Sequence, residues 1–217
     1  MKLTILICVH SINKFYDSLL KRALISLSQQ TYKNFKTLIV LDECWENTKT
    51  MIELANYNLD LTILKKDKKQ GLAYAKEFGL KYVETEWVGF LDGDDLYLPD
   101  KIENQLHYIE NNEIDFLGTH SWNIIGIDDD DNLLPSCFDV NEHITHLDIF
   151  NKIFTKNVLT HGSMLVRKSA LLELGGYRDI KGMEDWDLWQ RAINNGYKFY
   201  QIPKRLYIYR LNTSITR

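Results

Sequence analysis

Trp87-Val88-Gly89-Phe90-Leu91-Asp92-Gly93-Asp94-Asp95 runs from five apolar or small residues straight into three carboxylates. A short apolar run of this kind reads as a buried central strand. Carboxylates at the end of such a strand are costly beside a core unless something neutralises them. A hard divalent cation does so, because it prefers oxygen ligands and often also holds substrate phosphates. In open α/β sheets, ligands gather at the carboxyl ends of the strands. Asp92 to Asp95 therefore reads as a metal-diphosphate site. Taken alone, the same residues would also suit an acidic turn leading into the next helix.

Upstream of this stretch the chain alternates strand and helix. Leu3 to Val9 is an apolar strand, and Leu19, Leu20, Ala23, Leu24 and Leu27 recur at helical spacing. Leu38 to Leu41 is a second strand, ending at Asp42. A helix follows around Thr48 to Tyr57, then a strand at Leu61 to Leu64, then a helix opened by Gly71. Downstream, Pro99 suits the first turn of a helix with the stripe Ile102, Leu106 and Ile109. This βαβαβαβ order predicts a mostly parallel, Rossmann-like sheet with helices on both faces.

Beyond residue 113 the pattern changes. Asp115 to Ile127 is extended, Asp128 to Asn132 turns the chain, and Leu133 and Leu134 return. The four consecutive Asp lack the loop glycine and the bidentate Glu of a calcium loop, so a solvated hairpin turn is expected. His143 and His146 form a surface pair, since nothing acidic or thiol-bearing completes a metal set. Ser163 to Val166 is a short strand, Lys168 to Leu174 a helix, and Glu184 to Asn195 a helix with Leu188, Trp189 and Ala192 inward. Two short strands, Phe199 to Ile202 and Leu206 to Arg210, close the chain. Residues 1–217 read as one domain with a small antiparallel element in its C-terminal half.

Bulk composition narrows the class. The 217 residues are 45% apolar and 26% charged, as in a soluble globular domain. A net charge of -4 argues against a nucleic-acid partner. The basic cluster Lys65-Lys66-Asp67-Lys68-Lys69 is local and reads as a solvated loop, or as a loop beside an anionic ligand. Cys8, Cys44 and Cys137 are odd in number and widely spaced, which fits reduced thiols in a cytoplasmic protein, or one at the periphery of a membrane. The apolar start is too short for a signal peptide, and no run is long enough for a transmembrane segment.

At the level of motifs, the chain resembles the family 2 glycosyltransferases, which have the GT-A fold. The resemblance rests on Ser28-Gln29-Gln30-Thr31-Tyr32-Lys33-Asn34-Phe35, Val40-Leu41-Asp42 and Gly71-Leu72-Ala73-Tyr74-Ala75-Lys76. It rests further on Phe90 to Asp100 and on Glu184-Asp185-Trp186-Asp187-Leu188-Trp189, in this order and spacing. It implies a metal-dependent inverting enzyme of hexosyltransferase type. That enzyme would move one sugar from a nucleotide-sugar donor, with UDP as the first expectation, to a hydroxyl of a carbohydrate or lipid-linked acceptor. Residues 1–112 would bind the donor and 113–217 the acceptor side.

The resemblance also implies roles. Asp42 would hydrogen-bond the base, in a pocket lined by Cys8, Val9 and His10. Asp92 and Gly93 would lie near the ribose and diphosphate. Asp94, with Asp92, would ligate Mn²⁺ or Mg²⁺. Lys76 would contact the nucleotide, Asp185 would be the general base, and Glu184 would support it. Trp186 and Trp189 fit either a sugar face or the core, and His161-Gly162-Ser163 begins a strand on the acceptor side.

Some positions depart from the family pattern. Leu41 replaces a frequent first Asp, Val9-His10-Ser11 replaces a Thr-Tyr-Asn type segment, and Lys76 replaces an Arg. Glu43-Cys44-Trp45 stands where a small flexible turn is common, and the tail from Tyr209 to Ser214 lacks a frequent histidine. Ala192 after Gln190-Arg191 breaks the signature of processive synthases, which favours single-sugar transfer. Two other readings exist: a non-catalytic nucleotide-sugar-binding module, and a haloacid-dehalogenase-like phosphatase. The latter also places D-x-D after an apolar strand, but is typically followed by D-G-T or D-G-V.

Overall fold

A computed structural model describes residues 2–44, 47–55, 57–66, 68–127, 133–135, 145–180 and 182–211. The alternation read from the sequence is present: β1 (Leu3–Val9), α1 (Lys14–Ser28), β2 (Lys36–Asp42), α2 (Asn47–Leu54), β3 (Asp60–Lys66), α3 (Leu72–Leu80) and β4 (Trp87–Phe90). β1 pairs in parallel with β2 and β4, and β2 pairs in parallel with β3.

The second half adds β5 (Leu96–Tyr97), α4 (Lys101–Asn111), β6 (Phe116–Ile127), β7 (Leu133–Pro135), α5 (His146–Ile153), β8 (Leu165–Arg167), α6 (Lys168–Glu173), α7 (Glu184–Asn194) and β9 (Phe199–Arg210). The sheet order is β3-β2-β1-β4-β8-β6-β9-β5, with β7 on β6. β8 is antiparallel to both β4 and β6, so it is a single reversed strand between strands that run the same way.

Both faces of the sheet are covered, as a parallel sheet requires. Leu6 of β1 joins one apolar cluster with Val40, Phe90, Phe116 and Trp189. Its neighbours Ile5 and Ile7 join the other, with Leu20, Leu24, Ile39 and Trp87. That is the period-2 alternation of a strand buried on both sides. The side chain of Asn13 caps α1 by accepting from Phe15 N at 2.9 Å and Tyr16 N at 3.3 Å. Gly71, at φ +96°, enters α3 through backbone that side-chain-bearing residues rarely adopt.

Several sequence expectations are corrected. The C-terminal strands are one element, β9. Its pairing with β6 passes from Thr119↔Ile202 to His120↔Arg205, leaving residues 203–204 bulged. Pro203, with no N–H to give the ladder, is accommodated in this bulge and does not end the strand. Pro99 precedes α4 and is not in its first turn; its carbonyl accepts from Thr31 N at 2.8 Å. His161–Ser163 is a 3₁₀ turn, and the strand starts later, at Leu165. β5, two residues long, was too short to carry a period. The expected hairpin turn at 128–132 and His143 lie outside the described residues. The return itself is seen in the antiparallel pairing of Ile127 with Leu133. His146 opens α5, with its ring near Phe150 and Phe199.

Trp189 belongs to the core and not to a sugar-facing surface. It is fully buried, edge-on to Phe116 at 5.7 Å and beside His161 at 5.8 Å. Trp189→Ala should cost about 3–5 kcal/mol of unfolding free energy. Urea denaturation measures it; a loss below 1 kcal/mol would mean that the ring is not a core element.

Candidate active site at the carboxyl edge of the parallel strands

The ends of β1, β2 and β4 converge on a cleft of about 450 Å³. Cys8, Val9 and His10 line it from β1, Asp42 from β2, and Asp92, Gly93 and Asp94 from the end of β4. The sequence named all seven. Tyr16 and Leu20 of α1, Leu72 and Ala75 of α3, and Lys69 complete the wall. No motif signalled these; they arrive because α1 and α3 pack against the strands on opposite faces. A hollow of similar size between α2 and β3 contains none of the motif residues.

The far end of the cleft is a hydrogen-bonded corner. Asp42 is buried. Its Oδ1 lies 3.0 Å from Lys66 Nζ and accepts from Gln70 N at 3.3 Å, and its Oδ2 accepts from Gly71 N at 3.1 Å. The two N–H groups fill half of its roughly four acceptor positions, with Lys66 beside Oδ1 as an ion pair. His10 Nδ1 is 3.0 Å from the carbonyls of both Asp42 and Glu43, so it carries the proton and donates to them. Nε2 then accepts from Lys69 Nζ at 2.8 Å. Glu43 holds φ +56°, a left-handed backbone in the turn that replaces the small residues common in the family. Of the basic cluster, Lys65 and Lys68 are solvated as expected, but Lys66 is buried. Burial pushes the Cys8 thiol up to about 12, so it stands as a neutral wall.

At the near end the carboxylates gather. Burial raises Asp92 to about 6; Lys76 opposes this, and Asp94, Asp185 and Glu184 add to it. The fold thus brings the two acidic motifs into one electrostatic unit. Lys76 does not line the cleft. Its ammonium lies 2.9 Å from Glu184 Oε1, both side chains are buried, and Tyr177 presents its ring 5.0 Å below.

Asp185, next to Glu184, accepts from Asn157 Nδ2 at 3.0 Å and from Trp186 N at 2.7 Å. Burial raises its carboxyl above the usual range. The Trp186 indole N–H donates to the Ile153 carbonyl. His161 is buried between Phe90 and Trp189, 2.9 Å from the Tyr177 hydroxyl, and burial holds its ring neutral.

The donor set fits a divalent cation. Burial is the main cause that raises Asp92, and the nearby Asp94, Asp185 and Glu184 add to it against the Lys76 ammonium, so a bound cation would relieve this like-charge repulsion. Among the described residues there is no group of three or more His, Cys, Asp or Glu poised to hold an ion. Magnesium-type sites commonly use one or two carboxylates, with phosphates and water completing the shell. Gly93 is open: a Cβ there would meet only Leu20 and Val9, each at 3.8 Å.

The mixed sheet with its cleft at the strand ends has the GT-A fold. The family profile described as glycosyl transferase family 2 matches residues 5–175, and the chain belongs to that family. It is a glycosyltransferase. It is 30% identical over 199 residues to an uncharacterized glycosyltransferase of Methanocaldococcus jannaschii, covering 90% of this chain and 67% of that one. It is 24% identical to the O-antigen biosynthesis glycosyltransferase WbnJ of Escherichia coli, covering 99% of this chain and 82% of WbnJ.

The fold matches residues 1–349 of Staphylococcus aureus TarS in complex with UDP-GlcNAc, with a TM-score of 0.79 at 18% identity. The match covers 99% of this chain and 60% of that one, so the chain spans well under two thirds of this relative. The mannosyltransferase PcManGT of Pyrobaculum calidifontis, in complex with GDP-Man and Mn²⁺, matches with a TM-score of 0.73 at 14% identity, covering 98% and 58% of the two chains. Family membership sets aside the phosphatase reading.

The raised carboxyl of Asp92 has a consequence for stability. A carboxyl whose pKa lies higher in the folded chain than in the unfolded chain destabilises the fold once ionised. Stability therefore falls as pH rises from about 4 to about 6 and stays reduced above that. Asp92→Asn should raise the urea midpoint of the ligand-free protein at pH 7, and the gain should shrink as pH falls through 6 towards 4. An unchanged or lowered midpoint at pH 7 would contradict the burial of this charge.

Proposed function

We propose that the chain is a metal-dependent, inverting glycosyltransferase that moves one sugar from a nucleotide-sugar donor to a hydroxyl of a glycan or lipid-linked acceptor. UDP-sugars are the first donor class. The observation that carries the reading is that Asp92 and Asp94 share a cleft with Asp42, while Glu184 and Asp185, which do not line it, lie close enough to Asp92 for their charges to act on it. Relatives support the parts separately. TarS was solved with UDP-GlcNAc, PcManGT with GDP-Man and Mn²⁺, and WbnJ is named for O-antigen biosynthesis. No helix among the described residues is long and apolar enough to cross a membrane.

Residues 1–112 form the donor half and 113–217 the acceptor side of a single domain. Asp42 offers a remaining acceptor position to a base N–H, in the corner formed with Cys8, Val9 and His10. Asp92 and Gly93 lie along the ribose and diphosphate. Asp94, assisted by Asp92, holds Mn²⁺ or Mg²⁺, which when bound supplies Lewis-acid stabilisation of the leaving diphosphate. Lys76 acts on the nucleotide side through the field it puts on Asp92, and it fixes Glu184 by the ion pair.

Asp185 is then the carboxylate left to take a proton. Its raised pKa makes it a better base than a solvated Asp, and the Asn157 amide orients it. The acceptor oxygen attacks the anomeric carbon and its proton passes to Asp185. The bond from the anomeric carbon to the phosphate oxygen breaks, and the electron pair leaves on the diphosphate. A single displacement inverts the anomeric centre.

The test is transfer rate and donor affinity in two variants. Asp185→Asn should lower the rate by about 10² to 10⁴ with donor affinity nearly unchanged. Glu184→Gln should cost less rate but more stability, because it leaves Lys76 buried without its partner. Full activity in Asp185→Asn would remove it as the base.

A further inference from the structure

We infer that Asp95 is a positioning residue: through Tyr207 and Arg210 it fixes the acidic turn that presents Asp94 and Asp92 to the cation and diphosphate. The inference rests on the reading of Asp92 and Asp94 proposed above. Asp95 is the third carboxylate of the motif, and the cleft does not use it. It is 1% exposed, and both its oxygens are committed to β9. Oδ2 accepts from the Tyr207 hydroxyl at 2.5 Å and Oδ1 from Arg210 N at 2.7 Å. A carboxylate so occupied has no face to offer a ligand. It can act on the donor only through the backbone it holds.

That backbone is the metal-presenting turn. Asp95 N donates to the Asp92 carbonyl at 3.1 Å, closing Asp92 to Asp95 on itself. Arg210 Nε donates to the Asp94 carbonyl at 3.3 Å. Beyond the turn, β5 pairs with the same stretch of β9, Leu96 opposite Ile208 and Tyr97 opposite Tyr207. The turn is thus tied at its third and fourth residues to one strand from the far end of the chain.

Tyr207 is itself held. It is fully buried, edge-on to Tyr97 at 5.8 Å. Its hydroxyl occupies the space a Cβ would need at Gly162, only 1.8 Å from that position. Gly162 is therefore glycine because Tyr207 reaches past it to Asp95. Cation coordination tolerates little ligand wander, and partners behind the ligands commonly set affinity.

The test compares Tyr207→Phe, Asp95→Asn, Asp95→Ala and Asp94→Ala. Mn²⁺ binding would be followed by electron paramagnetic resonance with UDP or GDP, whichever the wild type binds more tightly, with urea midpoints in parallel. Tyr207→Phe keeps the ring and the packing but loses the tie, and should weaken Mn²⁺–nucleotide binding about tenfold in a folded protein. Asp95→Asn should stay within about threefold, since an amide can accept from Arg210 N and donate to the Tyr207 oxygen. Asp95→Ala should lose about tenfold or more.

Wild-type affinity in Tyr207→Phe, with binding abolished in Asp94→Ala, overturns the inference and leaves the proposed site standing. Equal losses in Asp95→Asn and Asp95→Ala would mean that charge and not position matters, and would also overturn it. Wild-type binding in Asp94→Ala, or a wild type that binds neither nucleotide with Mn²⁺, removes the proposed site and the inference together. Should Tyr207→Phe fail to fold, the Asp95→Asn and Asp95→Ala pair decides alone.

Discussion

The buried pair between Lys76 and Glu184 is the constraint on which the rest of the site depends. It joins α3, from the alternating half, to α7, 108 residues later. It places one positive charge beneath four acidic side chains. Without the ammonium, Glu184 would be a buried charge with no counter-ion, and its neighbours would repel more strongly. With it, Glu184 is committed to Lys76, while Asp185 accepts from Asn157 and from Trp186 N. The same lysine moderates the upward shift of Asp92. Two motifs far apart in sequence are thereby one object electrostatically.

What the sequence disclosed follows from what has a period or a strong residue signature. β1 to β4 were legible because buried parallel strands are nearly continuous apolar runs, and because α1 carries a clean helical stripe ended near Gln29. Asp92 to Asp94 stand out as charges at the end of an apolar strand, whereas Cys8, Val9, His10 and Asp42 were picked out by the family resemblance. What escaped was set by tertiary contact. β5 is two residues held by β9, and the β9 bulge shows only in its register with β6. The wall of Tyr16, Leu20, Leu72 and Ala75 has no chemical signature at all. Lys76 looked like a nucleotide contact, but only the approach of α7 decides where its charge goes.

The cleft has two ends of opposite character. At the corner, Asp42 is met by Lys66 and by two backbone N–H groups, and His10 accepts from Lys69, so the polar groups have partners before any ligand arrives. At the acidic end carboxylates stand close together, and their repulsion adds to the burial that raises Asp92. A preformed corner suits a flat, neutral base. An acidic end suits a ligand that brings its own positive charge. Functional sites commonly hold groups in states that the fold alone would not choose.

The tie between Asp95 and β9 also has a meaning for the order in which the molecule is made. Asp95 leaves the ribosome more than a hundred residues before Arg210, its partner at a separation of 115. During that interval the first four strands can pair, since β1, β2, β3 and β4 are all already present. The acidic turn cannot close against β9, and Lys76 has no Glu184. A nascent chain halted near residue 112 would hold the strands around Asp42 without the β9 contacts of the acidic turn. Contacts this remote in sequence form late and slowly. The turn thus gains its ties only with the last strand, and a chain truncated before β9 would keep much of its first layer while losing the contacts that hold Asp95.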